Sequence, residues 1–198
     1  MQNVVSSLAD RAVADRHEAY ESEIRRLLDA ALAVMQRDAT IDPRVTDIVR
    51  EAGLSNQAFY RHFRGKDALL LALLEDGRER LVTTIERRLA NANSPADQLR
   101  AWVEAVFAQA QDPAAAEATR PFVINSDRLA AEYPDEVRRS RDRVVEPLRA
   151  IVGAVKADAV YHLTMGSVYD ALVDRRVPTH TDVEAIVDFA RKGADLGT

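Results

Sequence analysis

The stretch "VTDIVREAGLSNQAFYRHFRGKDALL", residues 45–70, decides how the rest of the chain is read. It opens as a short helix with Val45, Ile48, Val49 and Ala52 on one face. That helix stops at Gly53, a residue suited to the left-handed position that ends helices. Ser55 then offers an N-cap hydroxyl to the orphan amides of a second helix through Phe63. Leu54 plugs the angle between the two. Short helices joined by Ala52-Gly53-Leu54-Ser55 have the spacing of a helix-turn-helix.

The second helix separates its faces cleanly. With Asn56 at the origin, Phe59 and Phe63 fall at about 300° and 340°, a narrow apolar seam. Gln57 and Arg61 fall at about 100° and 140°, Ala58 at about 200°, and Tyr60 at about 40°, its hydroxyl free to leave the core edge. An outer face of amide, guanidinium and methyl groups fits base edges. Gln57 can bond adenine, Arg61 can fork onto guanine, and the Ala58 methyl can touch thymine. Tyr60, His62 and Lys66 suit phosphates, and Lys66 also lies at the positive end of the next helix. The bland alternative is a solvated charge run. Cap, turn glycine, apolar seam and polar outer face agree on the nucleic-acid reading instead.

Bulk composition neither demands nor forbids it. The 198-residue chain is 47% hydrophobic and carries a formal charge of −5. Residues 1–16 and 17–66 are each charge-balanced, so the excess acidity falls on residues 67–198. An acidic chain argues weakly against phosphate binding, and only local pattern overturns that. The chain has no cysteine, which excludes disulfides, thiolate metal sites and cysteine nucleophiles. Its start, "MQNVVSSLADRAVADR", lacks the basic-then-apolar pattern of a secretory signal. The longest apolar run, "ALLLALL" at 68–74, is far short of a bilayer span. A cytoplasmic protein without membrane partner is expected.

Helical period runs through nearly every segment, and sustained strand alternation through none. Ile24, Leu27, Leu28, Ala31, Leu32 and Met35 mark a first amphipathic helix over 17–37. Asp42 and Pro43 are expected to cap and open the next one. A long helix follows from Lys66 to Ala92, with "EDG" at 75–77 as a kink. Ser94-Pro95, Asp112-Pro113 and Tyr133-Pro134 mark later starts, and Thr181 with Glu184 forms a capping box for the last helix. The expectation is an all-α chain of about nine helices. A helix-turn-helix domain occupies 1–66, its first 16 residues a flexible extension, and a helical bundle occupies 67–198.

At these residues the chain resembles the tetracycline-repressor (TetR) family of bacterial regulators. The match runs through residues 45–74, with the apolar helix at 24–35 as the family's first. It rests on Ile48-Val49, Ala52-Gly53-Leu54-Ser55, Tyr60-Arg61-His62-Phe63 and Lys66-Asp67-Ala68-Leu69-Leu70. The resemblance implies an N-terminal DNA-binding domain, a C-terminal domain for ligand binding and dimerisation, and repression relieved by a small apolar or amphipathic molecule. It implies contacts to a palindromic operator, in the major groove, from Arg44, Thr46, Ser55, Asn56, Gln57, Ala58, Tyr60, Arg61, His62 and Lys66. Gln57 stands where the family often has glycine, and Arg44 where it often has threonine.

The remainder of the chain matches in length and helicity alone. Val160, Leu163, Val168 and Leu172 make one stripe on the helix near 156–176; Tyr161, Met165 and Tyr169 make a second. The last helix offers Val183, Ile186, Val187 and Ala190. The resemblance implies that these two helices pair with their copies as a four-helix bundle in a homodimer. That would set two recognition helices roughly 34–36 Å apart. The other reading is that both stripes are the domain's own core. Pocket candidates are Trp102, Phe107, Phe122, Asn125, Tyr133, Tyr161, His162, Met165 and Tyr169, each also readable as core. An irregular stretch between Pro121 and Pro134 could gate such a pocket, and "RRSRDR" at 138–143 reads as a solvated face.

No Gly-rich phosphate loop, di-metal helical pair, zinc-protease motif or nucleophile elbow is present, so no catalytic residue, metal ligand or cofactor is assigned. Two alternatives stay open: a DNA-binding regulator without a small-molecule effector, and a helical-bundle enzyme.

Overall fold

The computed structural model of the chain describes residues 2–38, 40 and 42–195, with side chains from residue 10 onward. Ten helices and no strand occur among the described residues: α1 (Gln2–Arg37), α2 (Val45–Ala52), α3 (Asn56–His62), α4 (Lys66–Leu89), α5 (Pro95–Gln111), α6 (Pro113–Ile124), α7 (Ser126–Glu132), α8 (Pro134–Val152), α9 (Ala154–Val173) and α10 (His180–Gly193). They fall into two compact units, residues 1–73 and 74–198. No helix among the described residues is long and apolar enough to cross a membrane.

In the first unit, Leu27, Leu28, Ala31, Val34 and Met35 of α1 are buried with Ile48 and Val49 of α2 and Phe59 beyond the turn. Each fully buried side chain of this size is worth about 1.5–3 kcal/mol, so the short helices α2 and α3 hold through packing rather than propensity. The backbone of α1 is helical from Gln2, so the expected N-terminal extension continues the helix; Met1 lies outside the described residues. Residues 10–22 are exposed, with Tyr20 alone among them set against a ring of α3, and the buried face of α1 begins beyond them.

Two start signals differ from expectation. α2 begins two residues late, with Arg44 at the N-cap and Pro43 buried ahead of it, and Asp42 pairs with Lys66 instead of capping. At α10 the N-cap is Thr179, not Thr181. Its hydroxyl accepts from the Asp182 amide at 3.3 Å, while the Asp182 carboxylate accepts from the Thr179 amide at 2.7 Å. Glu184 serves elsewhere, accepting from Arg100 Nη2 at 2.9 Å. Ser94, Asp112 and Tyr133 precede Pro-initiated helices as expected, and no break interrupts α4 at Gly77.

The second unit packs around one cluster. Trp102, Val103, Val106 and Phe107 of α5 meet Val144, Val145 and Leu148 of α8, and Tyr161, Val168 and Leu172 of α9. The Trp102 indole N–H donates to the Val144 carbonyl at 3.1 Å, so this large buried group keeps its polar atom satisfied. The tenth helix is α7. Of the stretch expected as irregular, residues 122–132 form the end of α6 and all of α7, broken at Asn125, whose amide donates to the Pro121 carbonyl at 2.9 Å.

Candidate nucleic-acid interface

The turn is built as the residues dictate. Gly53 lies in the left-handed region, φ 62° and ψ 37°, and its N–H reaches back to close α2. Ser55 Oγ accepts from the Ala58 amide at 3.1 Å and caps α3. Phe59 and Phe63 are buried, with ring centroids 5.7 Å apart, and fix the inner face.

The outer face carries Ser55, Asn56, Gln57, Tyr60 and Arg61, all exposed, with Tyr60 at 61%. Arg44 and Thr46 are exposed at the start of α2, and Arg64 just past α3. One surface thus brings together amide, guanidinium, phenol and hydroxyl groups, which can address base edges and phosphates together. Arg64 was absent from the sequence-derived set. Its exposure and its lack of an ion pair among the described residues put it with the others.

Two expected contacts are turned away from that surface. Ala58 is buried, because its methyl completes the inner packing beside Phe59. The His62 side chain has no exposure at all: its Nε2 donates to Glu23 at 2.7 Å and its ring stands edge-on to Tyr20 at 4.4 Å. Its Nδ1 is buried without a partner. His62 therefore ties α3 to α1 rather than facing outward.

Charge on this surface is partly internally compensated. Glu23 Oε2 also accepts from Arg61 Nη2 at 2.5 Å. The hydrogen bonds from His62 first, then Arg61, hold the Glu23 carboxyl below the usual range. Lys66 pairs with Asp42, and Arg50 with Asp47 at 2.7 Å. The Lys66 and Arg50 pairs are worth little in water and exchange readily for phosphates.

In the second unit the pocket candidates do not converge. Trp102, Phe107 and Tyr161 are core, with Met165 packed against it. Asn125 is buried, Phe122 and Tyr133 are half-buried, and His162 and Tyr169 face outward. Arg141, tucked from the expected solvated face, lies 5.0 Å over the Tyr161 ring and 3.0 Å from Asp158; Arg138 and Arg139 remain solvated. No cluster of three metal-ligating side chains occurs among the described residues.

The residues expected at a dimer contact lie mostly inside the second unit. Val160, Val168, Leu172, Val183, Val187 and Ala190 belong to this chain's own core, Ile186 packs against it, and Leu163 is half-buried. α9 carries two apolar faces, and the stripe through 160, 168 and 172 is the inward one. Val155, Tyr169 and Val173 of α9 and Phe189 of α10, the last at 68% exposure, are apolar side chains left outside.

Comparison with known proteins bears on the first unit most directly. Residues 27–73 match the model of the bacterial regulatory proteins of the tetR family. An HTH-type transcriptional regulator BetI of Brucella canis is 31% identical over 87 residues, 44% of this chain and 44% of that regulator. The chain thus matches less than half the length of such relatives. The fold of nearly the whole chain recurs in solved structures. FadR of Bacillus subtilis in complex with stearoyl-CoA superposes with a TM-score of 0.67 at 15% identity, covering 88% of this chain and 98% of that one. A TetR family transcription regulator from Marinobacter aquaeolei gives 0.65 at 16% identity, covering 89% and 97%.

Proposed function

We propose, from the match of residues 27–73 to the tetR family of bacterial regulatory proteins, that the chain is a DNA-binding transcriptional regulator of that family whose first unit grips operator DNA through α3. The observation that carries this reading is the outer face of α3. Asn56, Gln57, Tyr60 and Arg61 project from a helix whose inner face is anchored by Phe59 and Phe63 and whose start is capped by Ser55. Gln57 and Arg61 read bases; Arg44, Thr46, Tyr60, Arg64 and Lys66 hold phosphates. The domain division follows: DNA binding in residues 1–66, ligand binding and dimerisation in 67–198.

The regulator acts as a homodimer in the cytoplasm, and a small apolar or amphipathic effector releases it from a palindromic operator. Tyr169, Val173 and Phe189, exposed on the two last helices, suit the subunit contact. The complex of Bacillus subtilis FadR with stearoyl-CoA supports an effector of that character in this fold. A second reading, a regulator without small-molecule effector, is favoured by the full burial of Trp102 and Phe107 in the cluster of the second unit.

The test is operator release. DNA co-purified with the protein is sequenced, the enriched duplex is labelled, and its anisotropy is followed with and without a long-chain acyl-CoA and shorter amphiphiles. Concentration-dependent release by any of them supports the sensor; unchanged binding with all of them supports the second reading. Failure to enrich any duplex contradicts both.

A further inference from the structure

Glu23 stands 38 residues before Arg61 in the chain, yet its Oε2 meets both Arg61 Nη2, at 2.5 Å, and His62 Nε2, at 2.7 Å. A carboxylate only accepts, so both neighbours donate to one oxygen. The two partners differ in freedom. The His62 ring is wholly buried against Tyr20 and is held by packing. The Arg61 side chain is 53% exposed, and its Nε and Nη1 make no hydrogen bond among the described residues. Glu23 is thus itself pinned by a buried group and in turn pins one end of an exposed arginine. Arg26, one turn along α1, grips the Ala52 and Gly53 carbonyls, so the same helix face steadies the turn as well.

We propose that Glu23 is a positioning residue for base reading: it fixes the Arg61 guanidinium so that its unengaged edge is presented to a guanine. The inference rests on the reading of α3 as the base-contacting helix. A free arginine loses much rotamer freedom when it docks. One held in place beforehand loses less, and gains directional selectivity because its fork geometry must match O6 and N7 together. An isolated exposed ion pair contributes little to stability. The Glu23 contact instead selects one arrangement of Arg61 over others. If the carboxylate merely withheld Arg61 from DNA, its removal would tighten specific binding, which is the opposite outcome.

The test uses the full chain and a randomised duplex pool, followed by dissociation constants for the selected site and its single-base-pair variants. The proteins are wild type, Glu23→Ala, Glu23→Gln, Arg61→Ala and the Glu23→Ala/Arg61→Ala pair, each with a thermal melt. Arg61→Ala is expected to erase preference at one base pair per half-site. Glu23→Ala is expected to cut discrimination at that same pair about ten-fold and leave other positions unchanged. Glu23→Gln, whose amide oxygen still accepts, retains most of it, and the double variant is no worse than Arg61→Ala alone. Glu23→Asp, a carboxylate too short for both donors, carries the Glu23→Ala expectation if that variant does not fold. Wild-type discrimination in Glu23→Ala, an equal loss on every sequence, or tighter specific binding overturns the inference while leaving α3 as the reader. Unchanged preference in Arg61→Ala overturns the reading of α3 itself, and the inference with it.

Discussion

Arg26 donates from Nε and Nη2 to the carbonyl oxygen of Ala52, at 3.1 and 2.6 Å, and so closes the C-terminal end of α2 from α1. Carbonyls there lack helical partners, and a cation meets the negative end of the helix dipole. Gly53 adds the turn, and a Cβ built on it would lie 3.1 Å from Arg26 Nη2. Arg26→Ala is expected to cost about 1 kcal/mol, and Gly53→Ala about 1–2 kcal/mol for its left-handed backbone. In urea unfolding the double variant should lose less than the sum, because the new methyl no longer crowds the guanidinium. Strict additivity would mean the two residues do not share the turn.

Arg61→Ala and Lys66→Ala should fail differently on DNA. The first removes a base contact and relaxes preference at one position by about 1–3 kcal/mol. The second removes a phosphate partner, weakening all sequences alike and lowering the salt slope by about one. Binding isotherms at several salt concentrations separate the two. Identical, sequence-blind losses would sink the division of labour.

Phe189→Glu and Leu172→Ala should likewise part company. Phe189 is exposed, so a charge there leaves the monomer folded and breaks the subunit contact; sedimentation is expected to show a monomer with an unchanged melt. Leu172 is buried in its own chain, so Leu172→Ala costs about 2–5 kcal/mol of stability. A dimer that survives Phe189→Glu would place the contact elsewhere.

The cap of α10 titrates. The Thr179 amide, then its hydroxyl and Arg176, hold the Asp182 carboxyl below its ordinary value of 3.8. A depressed carboxyl binds fewer protons folded than unfolded. Its stabilisation is therefore complete above the ordinary value and is lost as pH falls through the lower folded one. Glu117, Glu184 and Asp195 shift the same way, so the contrast with a variant is what matters. Between about pH 5 and pH 3 the wild-type melting temperature should fall more steeply than that of Asp182→Asn. Parallel curves would remove Asp182 from the acid response.

The turn was legible because local chemistry fixes it: Gly53 and Ser55 act within a few residues of themselves, and Phe59 and Phe63 mark the inner face by period alone. Ala58, His62 and Glu23 were not, because their roles depend on α1. A helical projection sees one helix, and Tyr20 and Glu23 approach α3 only once the three helices pack. The same limit explains the last two helices. α9 is apolar on two faces, and period does not say which one this chain keeps for itself. Thr181 with Glu184 has the spacing of a capping box, but so does Thr179 with Asp182, and the bond from the Thr179 amide to the Asp182 carboxylate shows which one is used.

Every role proposed for the first unit depends on DNA recognition by α3. Selection of the full chain from a randomised duplex pool at low salt, followed by sequencing, measures it directly. The expected result is an inverted repeat whose half-site centres lie about 10–10.5 base pairs apart or a multiple of that, with preference lost where Arg61→Ala is selected in parallel. A pool that remains unenriched for wild type, or an enriched site unchanged by Arg61→Ala and Gln57→Ala, would contradict it.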